Sequence, residues 1–469
     1  MADAVDLVLP NIAEFNLRHP SLRFDPAAAQ GFAGTAATLA DPAVFWSAGR
    51  RIVVLPPGYD ETWFADVHTA LGTALPPVVS PAHRSGLLVR DLLHDGAALA
   101  ALRAAVAPRR LVRLVSWGAT PELYILAATL TGWGNEVELD IPEEADYWSS
   151  LYLDSKASCV DLAGFLPELR VPRPITVNDW VELRGAIHAV HATGRPAVVR
   201  SMYGAGGEGS VRVPAERRAL ARFWSTAHRD PFFRSFPLLV QEFVDHAAEQ
   251  SCPAVDMLLT ADGVERIVTS AMIVDGLRCG SVNVGTGAVA AAPATRIARL
   301  AERIGRAAID LGFRGWFCVD YLVGADGEVY VTEFNARRSG AMGAITLADR
   351  PGMAGLGMHL SLALPIGVGP GRSLSYRADI RPLFRRLWDA GVRAYPTTVR
   401  GLSQARPNIG VLAAAETAAD AERIVTEIRT TLSGKSRDVG CGAGPAEVGG
   451  DRAPRSAGSE RSRGTSLGT

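Results

Sequence analysis

From Gly315 to Gly340 the chain reads GWFCVDYLVGADGEVYVTEFNARRSG, two β-branched and aromatic runs joined at Asp326-Gly327. Asp-Gly between apolar runs is a strong short-range signal for a two-residue hairpin turn. That turn sets Asp320 opposite Glu333 and Cys318 opposite Asn335, with Cβ atoms about 5 Å apart in each pair. Like charges placed this way are destabilising, the more so where both strands are apolar around them. A bound cation removes the repulsion. Asn335 and Arg337 follow Glu333 at period two and share its face if the strand continues. Two carboxylates and an amide oxygen are hard donors suited to Mg2+, with phosphate oxygens completing the shell. The bland alternative is a partly solvated strand face carrying unrelated charges.

A second stretch, AVVRSMYGAGGEGS from Ala197 to Ser210, contains Gly204-x-Gly206-x-x-Gly209 directly after an apolar run. As a pattern this is the dinucleotide-binding fingerprint, which requires a helix next. SVRVP follows instead, alternating and ended by Pro214, so the context is strand, loop, strand. A loop of this kind, with Gly207 among its glycines, can fold over phosphates through N–H groups that no Cβ obstructs. A plain mobile hairpin is the other reading.

Composition narrows the class. The chain is 48% hydrophobic and 21% charged, with a formal net charge of -1, which gives no field for wrapping a nucleic acid. The N-terminal MADAVDLVLPNIAEFN carries acids rather than a basic segment, and no run of about 18 apolar residues suggests a membrane span. Five cysteines show neither C-x-x-C spacing nor a pairing pattern, so a reduced, cytoplasmic setting is expected. Lysine occurs only at 156 and 435. Around Lys435 a P-loop would need glycine where Arg429 stands.

With 469 residues, roughly three domains are expected. Residues 1–150 read as an α/β unit; in VSWGATPEL, Thr120 is a candidate N-cap before Pro121. The N–H groups of Trp117-Gly118-Ala119 could there hold a substrate carboxylate, or simply begin a capped helix. SSLYLDSKASCVDLAGFL reads as a helix, residues 196–203 and 210–214 as strands, and Asp262-Gly263 as a hairpin turn. His188 and His191 lie three apart on a helix without nearby carboxylates and read as helix-face residues. Beyond about 433 the chain is rich in Gly, Ser and Arg and is expected to be a disordered tail.

Taken together, EFNAR with an acid thirteen residues before Glu333 resembles the metal signature of the ATP-grasp superfamily. The resemblance covers about 150–345 and implies an α/β (α+β) chain: a pre-ATP-grasp domain at 1–150 and an ATP-grasp domain at 151–352. A phosphate-lid subdomain would lie at about 195–245 and a small C-terminal α/β domain at 353–432. It implies two Mg2+ ions, or Mn2+, on Asp320, Glu333 and Asn335, and ATP phosphates on Lys156, Arg200, Arg278 and the loop Gly204, Gly206, Gly207, Gly209. Glu242 with the backbone of Phe243 and Val244 would meet adenine, and Glu249 the ribose. The segments VSWGATPEL and AYPTTVRGL are most similar to the stand-alone peptide ligases of the pheganomycin-biosynthesis type. The implied activity is ATP-dependent joining of a small-molecule carboxylate to an amine or peptide, with a homodimer as a compatible assembly. A kinase-like phosphotransferase and a regulatory ATP-binding module remain open.

Three departures stand out. Arg200 replaces the second nucleotide lysine, and its planar fork is not equivalent to an ammonium. Cys318 stands where some ligases carry an arginine, which leaves Arg337 or Arg338 to stabilise the reacting carboxylate. AMGAITLADR replaces the Thr-rich continuation of the pheganomycin type.

Overall fold

The computed structural model describes residues 4–18, 26–82, 84–107, 110–204, 207, 209–246, 252–367 and 373–434. The expected tail from 435 onward, Gly206 and Glu249 all fall outside the described residues.

Three sheets carry the chain. The first is parallel, in the order β3-β2-β1-β4-β5. Its strands are β1 (Val5–Leu9), β2 (Arg51–Val54), β3 (Val78–Val79), β4 (Leu111–Ser116) and β5 (Glu136–Leu139). The central strands are mostly apolar and buried, as a sheet covered on both faces requires. Strand order reverses between β1 and β4. Open sheets of this type form a crevice outside the carboxyl ends of their strands at such a point. Here that crevice is shaped by Asn11, whose amide accepts from Trp117 N–H at 2.8 Å and donates to the Gly118 carbonyl at 2.8 Å. Thr120 does occupy the N-cap position of the Pro121–Gly132 helix, yet its hydroxyl caps nothing; Asn11 donates to it at 3.3 Å.

The second sheet, β6-β9-β7-β8, is antiparallel and built from β6 (Pro174–Val177), β7 (Ala197–Ser201), β8 (Ser210–Val213) and β9 (Leu238–Glu242). Its core is closed by Leu183, Ile187 and Val190 of the Trp180–His191 helix. His191 Nε2 lies 2.9 Å from the Val213 carbonyl, on a helix face as expected.

The third sheet has eight antiparallel strands in the order β14-β13-β10-β11-β12-β15-β17-β16. They are β10 (Cys252–Thr260), β11 (Gly263–Asp275), β12 (Arg278–Gly285), β13 (Gly315–Val323), β14 (Val329–Asn335), β15 (Gly357–Pro365), β16 (Ala394–Thr398) and β17 (Asn408–Ala415). The strands from 353–432 thus extend this sheet rather than forming one of their own. One face is covered by the Ala291–Asp310 helix through Ile297, Ala301, Ile304 and Ala308, a helical stripe. The opposite face shares a core with the N-terminal unit, where Val282, Met358 and Leu360 pack with Phe45, Trp63 and Ile345.

Local details differ from the sequence expectations. SSLYLDSKASCVDLAGFL is two helices, Tyr147–Leu153 and Lys156–Phe165, because Asp154 breaks the run to accept from Arg18 and from the Ala336 N–H. The β10–β11 turn is Ala261-Asp262, since Thr260 pairs with Gly263.

Candidate active site

The β13–β14 hairpin carries the acids. Asp320 pairs with Glu333 and Cys318 with Asn335, as expected, but by a different route. Val323 pairs with Val329 and the Gly324 N–H donates to the Glu328 carbonyl, so the loop holds three residues, with Gly327 at φ 77°. A three-residue loop with glycine in the left-handed region is a standard hairpin connection. The extra residue is absorbed at Thr332, where a bulge separates the Asp320–Glu333 pair from Tyr321–Val331. Bulges re-aim side chains next to functional sites. This one exposes the Thr332 carbonyl to Arg200.

Two hydrogen-bonded branches leave the acids. On one, Asn335 Nδ2 donates to Asp320 at 3.0 Å and Asn335 Oδ1 accepts from Arg337 at 2.7 Å. The Cys318 thiol donates to the other Asp320 oxygen at 3.4 Å. Burial and then the charge of Glu333 raise Asp320 to a pKa of about 6, against the lowering effect of Arg337, Cys318 and Asn335. The smaller of these two effects is the repulsion read from the sequence, and the donor set of two carboxylates and an amide oxygen fits a hard divalent cation. On the second branch, Arg200 Nη2 meets Glu333 at 2.6 Å, Arg200 Nη1 donates to the Thr332 carbonyl at 2.6 Å, and Lys156 Nζ stands 3.6 Å from Glu333. Lys156 is 2% exposed and sits at the start of its helix, its N–H bonded to the Met202 carbonyl. Burial pulls its pKa down, Glu333 pulls it up, and Arg200 adds to the lowering. Two of the three cations expected on nucleotide phosphates, Lys156 and Arg200, therefore reach the same acid in this structure.

The glycine loop connects β7 to β8. Gly207 has φ 90°, and a Cβ there would stand 2.2 Å from the Leu277 carbonyl, so only glycine fits. Gly204 and Gly209 flank it, and the contact with Leu277 sets the loop on the β11–β12 turn, beside Arg278. Arg278 is exposed there, with its place under the loop as its link to the site. At the end of β9, Glu242 faces Arg195 at 3.6 Å and the Phe243 ring lies under Arg212 at 4.2 Å. The Phe243 N–H is already committed to the Pro196 carbonyl at 2.8 Å, which removes one backbone donor expected on adenine. Val244 is buried.

The neighbouring arginines part ways. Arg337 stacks on Trp117 at 4.9 Å and lines a narrow cleft with Gly118, Asp140, Phe313 and Trp316; neither acid of the hairpin lines it. Arg338 is buried, donating to Asp140 and to the Ser116 carbonyl, with its N–H bonded to the Trp117 carbonyl at 2.9 Å. In this structure Nη1 and Nη2 join the hairpin to the parallel sheet, while Nε has no partner and Arg338 lines the same cleft as Arg337. The Trp117 N–H is likewise taken by Asn11, leaving Gly118 and Ala119 of the three residues expected to hold a carboxylate.

Asp256 was not anticipated. It is fully buried on β10 opposite Cys318, one carboxylate oxygen has no partner, and burial raises its pKa to about 7. The signal was present in AVDMLL, a lone acid inside an apolar strand.

Residues 170–346, less than half of the chain, match the family model described as carbamoyl-phosphate synthase L chain, ATP binding domain. No curated protein matches the chain. Among solved structures, carboxyaminoimidazole ribonucleotide synthase from Aspergillus clavatus, complexed with ATP, is 12% identical with a TM-score of 0.51, covering 93% of this chain and 99% of its own. Biotin carboxylase from Campylobacter jejuni is 12% identical with a TM-score of 0.52, covering 92% and 91%. Likeness at such identity is one of fold.

Proposed function

From the premise that this chain has the ATP-grasp fold, we propose that it is an ATP-dependent carboxylate–amine ligase. The observation that carries the reading is the opposed Asp320–Glu333 pair, with Asn335 and Arg337 bonded to it in series. Asp320, Glu333 and Asn335 would hold Mg2+ (two ions, or Mn2+), whose chemistry there is neutralisation of phosphate charge. In such a reaction the carboxylate takes the γ-phosphoryl group of ATP to give an acyl phosphate, and an amine then displaces phosphate. The protein's part is placement and charge.

Lys156 and Arg200 would exchange Glu333 for nucleotide phosphates, with Arg278 under the lid loop as a third cation. The carbonyl end of Glu242 and the backbone of Val244 would meet the adenine edge, with the Phe243 N–H committed to Pro196. Arg337 would orient the reacting carboxylate, because it both bonds Asn335 and lines the cleft at the switch point of the parallel sheet. That cleft has aromatic walls at Trp117, Phe313 and Trp316; an amino acid or modified amino acid as the reacting carboxylate rests on the sequence resemblance. The peptide-ligase role in natural-product biosynthesis rests on the sequence resemblance, as does the division at 150, 352 and 432.

ADP release measured across a panel of amino acids with amine and peptide acceptors, in Mg2+ and in Mn2+, tests the proposal. Expected is release that requires both an acid and an amine, with an amide found by mass spectrometry. A stable phosphorylated product formed without amine would instead identify a phosphotransferase. ATP binding without turnover on any pair would identify a regulatory module.

A further inference from the structure

A second charge cluster lies away from the hairpin. Arg51 is on β2, His68 on the Glu61–Ala70 helix, and Arg350 just past the Met342–Ala348 helix; they are 5%, 1% and 6% exposed. The two guanidiniums converge on one acceptor, Arg51 Nη1 and Arg350 Nη2 donating to the Ser47 carbonyl at 2.9 and 3.3 Å. Neither makes an ion pair with a described residue. Asp6 is the acid beside Arg51 across β1 and β2, but its Oδ2 accepts from the Ser47 hydroxyl at 2.5 Å.

His68 settles the polarity of the cluster. Its Nδ1 lies 3.2 Å from Arg51 Nη2 and 2.8 Å from Thr73 Oγ1. A guanidinium only donates, so Nδ1 accepts and the proton is assigned to Nε2. Burial, then Arg51 and Arg350, hold the ring near a pKa of 3, so it is neutral at physiological pH. Burial and Arg350 pull Arg51 down to about 10, which leaves it protonated. His68 Nε2, Arg51 Nε and Arg350 Nε are buried without a partner. Every unmet atom is a donor. Two like charges and three unmet donors in one interior are costly unless an acceptor sits among them.

We propose that Arg51, Arg350 and His68 form a buried site for a small monovalent anion, a halide or a short carboxylate. The anion ties the N-terminal sheet to the segment that continues the Arg337–Arg338 loop. A second negative charge is not needed, because Asp6 already offsets part of Arg51.

The test is thermal unfolding of the full chain at fixed ionic strength, with chloride, bromide or acetate replacing bulky gluconate stepwise. Above half-saturation, the midpoint is expected to rise by about 2 °C for each tenfold increase in the bound anion. A response to chloride and bromide alone assigns a halide, and a response to acetate alone a carboxylate. Arg350→Met is expected to flatten the response. A midpoint independent of anion identity overturns the proposal. If Arg350→Met does not fold, crystals of the wild-type protein in whichever anion raised the midpoint decide: anion density against Arg51 and Arg350 supports the site, and water there overturns it.

Discussion

The hairpin and the Arg51–Arg350 cluster both bury charge, but in opposite ways. At the hairpin the signs alternate. Glu333 touches Arg200 and Lys156, and Asp320 reaches Arg337 through Asn335, so each acid has a cation in contact or one amide away. In the cluster both formal charges are positive, and the unmet atoms are all donors. A mixed network can satisfy itself and be re-partitioned when phosphates arrive. A cluster of two guanidiniums with only Asp6 to offset part of one has no internal rearrangement that relieves it. Chemistry is therefore expected at the first and anchoring at the second.

The strongest way to break that contrast is Glu333→Gln, which keeps the shape and removes the charge that two cations share. ADP formation, with a verified substrate pair, is expected to fall on the order of 10³-fold, as when a preorganised electrostatic contact is lost. The unfolding midpoint should stay within a few degrees, because relief of the repulsion on Asp320 offsets the loss of the anion beside Lys156 and Arg200. Near-wild-type turnover would place the metal chemistry elsewhere.

How much of this was legible in the sequence follows the same line. The hairpin was readable because its residues are local: period-two spacing and an Asp-Gly turn name the opposed acids without any tertiary knowledge. Even there, the bulge at Thr332 was not readable. A three-residue loop with one bulge and a two-residue loop without one give the same Asp320–Glu333 pairing. The cluster was invisible, since Ser47, Arg51, His68 and Arg350 come together only when β2, a helix and a segment some 300 residues later pack. The partners of Arg338 were hidden for a related reason. At period two from Ala336 it leaves the hairpin face, and nothing in its own segment announces Asp140 as its partner.

Arg337 and Arg338 therefore offer a second, smaller test. Arg338→Met leaves Asp140, whose side chain is 22% exposed, without its cation and removes the buried bond to the Ser116 carbonyl, a loss of about 1–3 kcal/mol. Urea unfolding should show that loss. Arg337→Met should leave the urea midpoint nearly unchanged while lowering turnover, since Arg337 packs on Trp117 at the cleft edge. If the two variants exchange these effects, the assignment of one arginine to the substrate and the other to the frame is reversed.

The smallest expected effect lies at Arg200, where the sequence departs from the lysine of the superfamily it resembles. Arg200 uses its fork: Nη2 holds Glu333 and Nη1 holds the Thr332 carbonyl, both at 2.6 Å. Arg200→Lys supplies the same charge as a single ammonium, which can face one of these oxygens at full strength but not both in that planar geometry. The Thr332 carbonyl is available only because of the bulge, so the arginine and the bulge form one unit. Losing one charge-assisted bond of this kind corresponds to about 1.5 kcal/mol, close to a tenfold change. Arg200→Lys should accordingly raise the KM for ATP about tenfold while kcat changes less, because after the exchange an ammonium reaches one phosphate oxygen where the fork reaches two. An unchanged KM would mean that the arginine follows the lysine-poor composition of the chain. A fall confined to kcat would mean that Arg200 acts on the reacting phosphoryl group rather than on nucleotide binding.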